Sequence, residues 1–204
     1  MQERWTLAVA AVCFGIGAVT IWTAALMPQF FPIWTGRGNQ HEIVRRHATL
    51  WRVNAAFFTT SAVAVLIGCA LVFTSKTGPF AVPSLLVLTV ATALWVTNNA
   101  LRMSAVVEVA TDGTSTSHGW LALAEAWTTA LWFIASVLVL LAFAGLGVTT
   151  LTSAVLGAWI GWVMIASAVL SLGFLVLLRD LPPVVAYLPV LPLAVASGMA
   201  AVQT

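Results

Sequence analysis

The residues that could take part in chemistry are concentrated in one polar stretch. It covers residues 39–54 and reads NQHEIVRRHATLWRVN. It gathers three arginines, one glutamate and two of the three histidines in a chain that is otherwise almost entirely apolar. Such a stretch offers cations for anionic groups, imidazoles for proton transfer or metal ligation, and an amide at Asn54. The other strongly polar side chains within apolar runs are few, and they are Asn98, Asn99, Arg102 and Glu125.

The composition indicates whether these side chains lie in water or in lipid. Of the 204 residues, 61% are hydrophobic and 7% are charged, whereas a soluble domain carries about 25% charged residues. A chain with so few charges cannot cover itself with polar surface, so the sequence predicts an integral membrane protein. The net charge of +2 and the lack of a basic tail exclude nucleic acid as a partner.

Six apolar runs are each long enough to cross the hydrocarbon core, which takes about 20 helical residues. The sequence therefore predicts an all-α, polytopic membrane protein, a single domain built as a six-transmembrane-helix bundle. The predicted spans cover approximately residues 5–27, 51–73, 82–107, 119–146, 151–178 and 181–202.

Two local patterns refine these boundaries. Asn39 followed three residues later by Glu42 is a variant of the capping box, so we expect a helix to begin at Gln40 and to run on into the second span. Residues 145–150, GLGVTT, predict a tight connection between spans four and five. Pro189 and Pro192 predict a kink or an irregular segment in the sixth span.

The distribution of basic residues predicts the orientation. Six arginines lie at the odd-numbered loops, whereas Arg4 and Lys76 lie at the other side. Because cytoplasmic loops are enriched in Lys and Arg, we expect a multi-pass protein of the cell membrane whose odd-numbered loops are cytoplasmic and whose termini are both outside.

Helical spacing brings the polar side chains onto three faces. His47, Trp51 and Asn54 share one face of span two, and Trp95, Arg102 and either Asn98 or Asn99 share one of span three. His118 and Glu125 share a face of span four. Asn54, Asn98, Asn99, Arg102 and Glu125 all lie within about 15 Å of the odd-loop end, at a rise of about 1.5 Å per residue. If these spans pack together, Arg102 and Glu125 become natural ion-pair partners.

We therefore predict a polar pocket in one leaflet that binds or transports a small amphipathic or lipid-like ligand. The expected lining residues are Glu125, Arg102, Asn98, Asn99, Asn54, His47 and His118, with Trp51, Trp95 and Trp127 as walls. A structural interpretation stands beside it: Arg102 extends to the headgroups, and the asparagines join helices by hydrogen bonds worth about 0.6 kcal/mol each.

Two further functions remain open. A membrane enzyme acting on an apolar substrate would use Glu125 as its general acid and base, with His47 or His118 as the partner. The second of these functions is that of an accessory subunit in a larger membrane complex. No cofactor is expected, although haem or a metal ion held by His47 and His118 is a less favoured alternative. We expect a binding protein rather than an enzyme.

The expected partners follow from the surface. Arg45, Arg46 and Arg52 lie just outside a span and predict contacts with anionic lipid headgroups. Gly157-x3-Gly161 and Ser167-x3-Ser171 permit close helix contacts, either within the bundle or between protomers. Membrane lipids, a second copy of the chain and a larger membrane complex are thus the predicted partners.

Overall fold

A computed structural model describes residues 2–35, 37–74, 78–112, 117–153, 156–178 and 185–203. These residues form helices and no strand. The helices are α1 (Gln2–Ala25), α2 (Phe31–Trp34), α3 (Gln40–Arg46), α4 (Ala48–Phe73), α5 (Ala81–Met103), α6 (Ala105–Asp112), α7 (Ser117–Ser153), α8 (Ala158–Leu178) and α9 (Val190–Gln203).

Six segments in the described part of the chain are long and apolar enough to cross a membrane, and they centre on α1, α4, α5, α7, α8 and α9. This confirms the all-α, six-span prediction and makes the chain a multi-pass membrane protein. Each span packs on the next, from α4 through α5 and α7 to α8, while α1 packs on both α4 and α9.

Two hydrophobic clusters hold the described residues together. The larger one fills the bundle and includes Phe14, Phe58, Trp95, Phe143 and Tyr187. The smaller one joins α3 and α6 to the segment before α2 and to the start of α4. It contains Phe30, Val44, Trp51, Val106, Val107 and Ala110. We refer to α2 with the 3-10 turn Pro28–Phe30 before it, α3 and α6 as the interfacial helices.

The predicted helix start at Gln40 is confirmed, but its predicted continuation into the second span is wrong. The Asn39 side chain accepts a hydrogen bond from the Glu42 backbone N–H at 3.3 Å. Helix α3 then ends at Arg46, because His47 leaves the helical region with φ −124° and ψ 33°. The break lets α3 pack on α6 instead of projecting from the bundle.

The predicted span three holds a helix break, although the apolar segment itself runs on to Thr111. Helix α5 ends at Met103, where Ser104 turns the chain with φ −107° and ψ −87°. Helix α6 follows at once and packs on α3 and α7. The predicted end at residue 107 therefore falls inside an interfacial helix.

Span four is longer than predicted, and the connection expected at 145–150 is wrong. Helix α7 continues to Ser153, because its glycines serve as packing surfaces. The Gly147 position meets the backbone of Gly161 in α8 so closely that a Cβ atom there would lie 2.8 Å from the Gly161 carbonyl oxygen. The Thr149 and Thr150 hydroxyls donate to carbonyls four residues earlier, so both polar groups are satisfied within the helix.

The actual connection contains Gly157, whose positive φ of 82° suits glycine. The predicted start of span five at residue 151 is therefore wrong, since α8 begins at Ala158.

The irregular start of span six is confirmed. A short 3-10 turn at Val185–Tyr187 precedes Pro189, and α9 begins at Val190 with Pro192 in its first turn. Arg179, Pro182 and Pro183 lie outside the described residues, as does Lys76.

Candidate functional site

The packing of α5 against α7 shows how far along the bundle axis each polar side chain lies. Ser84 of α5 lies directly against Gly145 of α7. Antiparallel helices advance by the same rise per residue, so Glu125, 20 residues before Gly145, stands level with Ser104, 20 residues after Ser84. Glu125 therefore lies where α5 ends, at the edge of the bundle and not within it.

Arg102 is the charged side chain at the centre of the candidate site. Its guanidinium carbon lies 4.3 Å from the centroid of the Trp51 ring and 5.6 Å from that of Phe58. Two of its nitrogens donate to amide oxygens, to Asn54 Oδ1 at 3.2 Å and to Asn99 Oδ1 at 3.3 Å. Aromatic faces and amide dipoles both favour a cation there.

Asn54 ties the site to a third helix. Its Nδ2 donates to the Ala24 carbonyl oxygen at 2.8 Å, one of the carbonyls that a helix end leaves without an intrahelical partner. With its Oδ1 bonded to Arg102, this amide is completely buried and connects α1, α4 and α5. Its orientation is therefore fixed, and it holds the guanidinium in place.

The end of α5 is capped by side chains of α4. Trp51 Nε1 donates to the Arg102 carbonyl at 3.0 Å, and Arg52 Nε donates to the Met103 carbonyl at 3.2 Å. The Trp51 ring also meets Phe30 edge-on, with centroids 5.0 Å apart. The ring that stacks on Arg102 is thus fixed from both sides, by the bundle and by the interfacial helices.

A stripe of buried polar atoms continues from Arg102 along α5. Thr92 Oγ1, Trp95 Nε1, Asn98 Oδ1 and Asn99 Nδ2 lack hydrogen-bond partners among the described residues, as does the hydroxyl of Tyr187. The rings of Trp95 and Tyr187 meet at a tilt, with centroids 5.7 Å apart. Since buried polar groups in proteins are nearly always paired, these atoms are suited to bind water or the polar part of a ligand.

Glu125 does not join this site. Neither it nor Arg102 forms an ion pair within the described ranges, where the salt bridges join Glu42 to Arg45 and Arg46. Glu125 instead borders an open groove whose described lining residues all belong to α7. The predicted pairing of Arg102 with Glu125 is therefore wrong, because α7 begins beyond the end of α5 and turns its carboxylate outward.

The other predicted site residues are dispersed. Trp127 lies in a separate groove between α7 and α5–α6, together with Glu108. His47 forms the break between α3 and α4, whereas the side chain of His118 lies outside the described part of the structure. Haem or metal ligation by these two histidines stays a prediction. Within the described ranges, no three His, Cys, Asp or Glu side chains form a cluster that could hold a metal ion.

The predicted headgroup arginines are all exposed. Arg45 and Arg46 both bind Glu42, at 2.8 Å and 2.6 Å, and Arg52 caps α5. Their contact with anionic lipid stays a prediction.

Sequence reasoning missed three contributors to the polar regions. Phe58 lies four residues after Asn54 and seven after Trp51, so helical spacing places it on the same face. Tyr187 sits in a turn before α9, where periodicity gives no signal. Glu108 belongs to an interfacial helix that was predicted as the edge of a span.

Comparisons with protein-family models, with curated proteins and with solved structures find no match to this chain.

Proposed function

We propose that this protein binds a small amphipathic, lipid-like ligand whose anionic group, a carboxylate or a phosphate, is held by Arg102 between α4 and α5. The site is defined by Arg102, Asn54, Asn99 and Trp51, with Asn98 and Trp95 deeper in the bundle. Glu125 is not part of it.

The observation that supports this proposal is that Arg102 has no carboxylate partner among the described residues. A guanidinium has five N–H donors in a planar fork, and two of its nitrogens are engaged with amide oxygens. No described acidic side chain pairs with Arg102. Because an uncompensated charge in an apolar setting is costly and arginine matches carboxylates and phosphates in shape, an anionic ligand is the partner that this site favours.

The position of the site suits an amphiphile. Arg102 lies one residue before the end of α5 and is partly exposed, which would allow a head group to approach it from that end of the bundle. Most of the surface beside the described spans is apolar and would accommodate a hydrocarbon tail.

Binding is favoured over transport. Within the described parts of α4, α5 and α7, the charged residues are Arg52, Arg102 and Glu125, all at this one end, and α8 and α9 carry none. Helix α1 carries Glu3 and Arg4 in its first turn, at the opposite end. A path for a charged group would therefore lack charged partners in the middle of the bundle.

A direct test measures the equilibrium binding of radiolabelled dodecanoate to the full chain in neutral dodecyl maltoside micelles. We expect Arg102→Gln to weaken binding by about tenfold, which corresponds to about 1.4 kcal/mol. Arg52→Gln is the matched control, because Arg52 is a neighbouring exposed cation that caps the same helix end. It should leave the affinity unchanged.

Arg102→Lys keeps the charge but loses the planar fork, so it should bind with intermediate affinity and also serves if the glutamine variant unfolds. Equal binding by all four proteins, or an equal loss in the Arg52 and Arg102 variants, would contradict the proposal.

A further inference from the structure

A second groove runs between α7 and the α5–α6 segment, on a different face of α5 from Arg102. Its volume is about 490 Å³. Its lining residues are Thr97, Leu101, Ala105, Glu108, Val109, Trp120, Leu123, Ala124, Trp127 and Leu131.

The groove follows the axis of α7 and has two distinct ends. Glu108 of α6 lines the groove with Trp120 at the outer end, and Thr97 of α5 lines it with Leu131 at the inner end. Trp120 and Leu131 are eleven residues apart on the continuous helix α7, so the groove is about 17 Å long at about 1.5 Å per residue. It therefore extends from the end of α5 toward the middle of the hydrocarbon region.

Polarity changes along this length. Glu108 is the charged member of the described lining, and it forms no ion pair with any residue in the described ranges. At the inner end, the Thr97 hydroxyl is already bonded to the Ala93 carbonyl at 2.9 Å. A carboxylate at one end and a wholly apolar wall at the other match a ligand with a charged head and a hydrocarbon tail.

Two exposed indole rings line this groove, Trp120 at its carboxylate end and Trp127 further in. Trp120 is 67% exposed and Trp127 is 59% exposed, seven residues apart on α7. Interfacial anchoring explains a tryptophan at the headgroup level, but Trp127 lies about 10 Å deeper. Indole faces attract ammonium groups by cation–π interaction, and quaternary ammonium ligands are recognised by aromatic cages.

We propose that this groove binds a cationic amphiphile, with its amine or quaternary ammonium head at Glu108 beside the Trp120 indole and its tail along Trp127, Leu123 and Leu131. The head-group charge is opposite to that expected at Arg102, so the two sites would select different ligands.

The test titrates the full chain with dodecyltrimethylammonium in neutral dodecyl maltoside micelles, followed by calorimetry. We expect Glu108→Gln to weaken binding by about tenfold and Trp120→Leu by about fivefold, which correspond to about 1.4 and 1 kcal/mol. Dodecanol, which has the same chain without the charge, should bind the wild-type protein at least about tenfold more weakly.

Two matched controls come from the chain itself. Glu125 is a carboxylate on the same helix and near the same end, but it does not line this groove. Trp162 is 62% exposed on α8, away from the groove. Glu125→Gln and Trp162→Leu should bind the probe like the wild type.

Retained binding in Glu108→Gln, an equal loss in Glu125→Gln, or equal binding of dodecanol would overturn the proposal. Competition by a phosphocholine-headed lysolipid would identify a membrane lipid as the source of the ammonium head. A lack of competition, with probe binding intact, would point to a free amphiphile.

Discussion

At the scale of single residues, Arg102 shows how a cation is held at the edge of an apolar bundle without a carboxylate. Its charge faces two aromatic rings and two amide oxygens. Helical spacing correctly predicted that Trp51 and Asn54 share a face and that Asn99 and Arg102 share another. It did not predict their partners on other helices. Spacing within one helix gives neither the position of the neighbouring helix along the bundle axis nor the face that this helix presents. For that reason Glu125 was wrongly paired with Arg102.

Glu42 offers a test of the local electrostatics of α3. Hydrogen bonds from Arg46 and then Arg45 hold the pKa of its carboxyl group below the ordinary value of 4.5. The ionised form is thus favoured in the folded state, so this contribution to stability is present above pH 4.5 and is lost as the pH falls through the lower folded value. We expect the carbon-13 titration of the Glu42 carboxyl group, followed by NMR, to have a midpoint below 4.5.

Removing each arginine in turn tests the order of these two causes. Arg46→Gln should raise the midpoint more than Arg45→Gln does, because the hydrogen bond from Arg46 is the larger influence. An ordinary midpoint in the wild type would show that these ion pairs do not form in solution, and a larger effect of Arg45→Gln would contradict the order of the two causes.

At the scale of helices, the crossing of α7 and α8 shows why the sequence misplaced a boundary. Glycine is both a helix breaker and a surface for close packing, and the GLGVTT segment was interpreted as the former. In the structure, Gly147 and Gly161 bring the two backbones together. The predicted close contact through Gly161 is confirmed, whereas Gly157 of the same pattern lies in the connection.

Two glycines of α8 allow a matched test of this crossing. A Cβ atom at Gly161 would lie 2.7 Å from the Gly147 carbonyl oxygen, whereas one at Gly173 would have no atom within 4 Å. Overpacking costs about 1–3 kcal/mol, so Gly161→Ala should lower the melting temperature in detergent. Gly173→Ala should leave it unchanged or raise it, because alanine is about 1 kcal/mol better in helices.

Unfolding of both variants and of the wild type is followed by circular dichroism at 222 nm, where helices give a strong negative signal. A Gly161→Ala protein as stable as Gly173→Ala would mean that the helices do not cross at this point.

At the scale of the whole molecule, composition was sufficient to predict a membrane protein, because 61% hydrophobic and 7% charged residues leave no other solvent than lipid, and the six apolar runs then predicted six spans. The interfacial helices were not predicted as a packed layer. Their cluster around Phe30, Val44 and Val107 is short-range and apolar, so in the sequence it is indistinguishable from the ends of the spans. This layer contacts Trp51 through Phe30 and thereby fixes the ring that stacks on Arg102.

The central claim is that Arg102 holds the anionic head of an amphiphile, and native mass spectrometry tests it most directly. The protein is purified from membranes in a neutral detergent, and adducts on the intact chain are identified after release from the micelle. We predict an anionic amphiphile on the wild type and on Arg52→Gln, and its loss from Arg102→Gln. An anionic adduct of equal occupancy on Arg102→Gln, or only neutral adducts on the wild type, would contradict the claim.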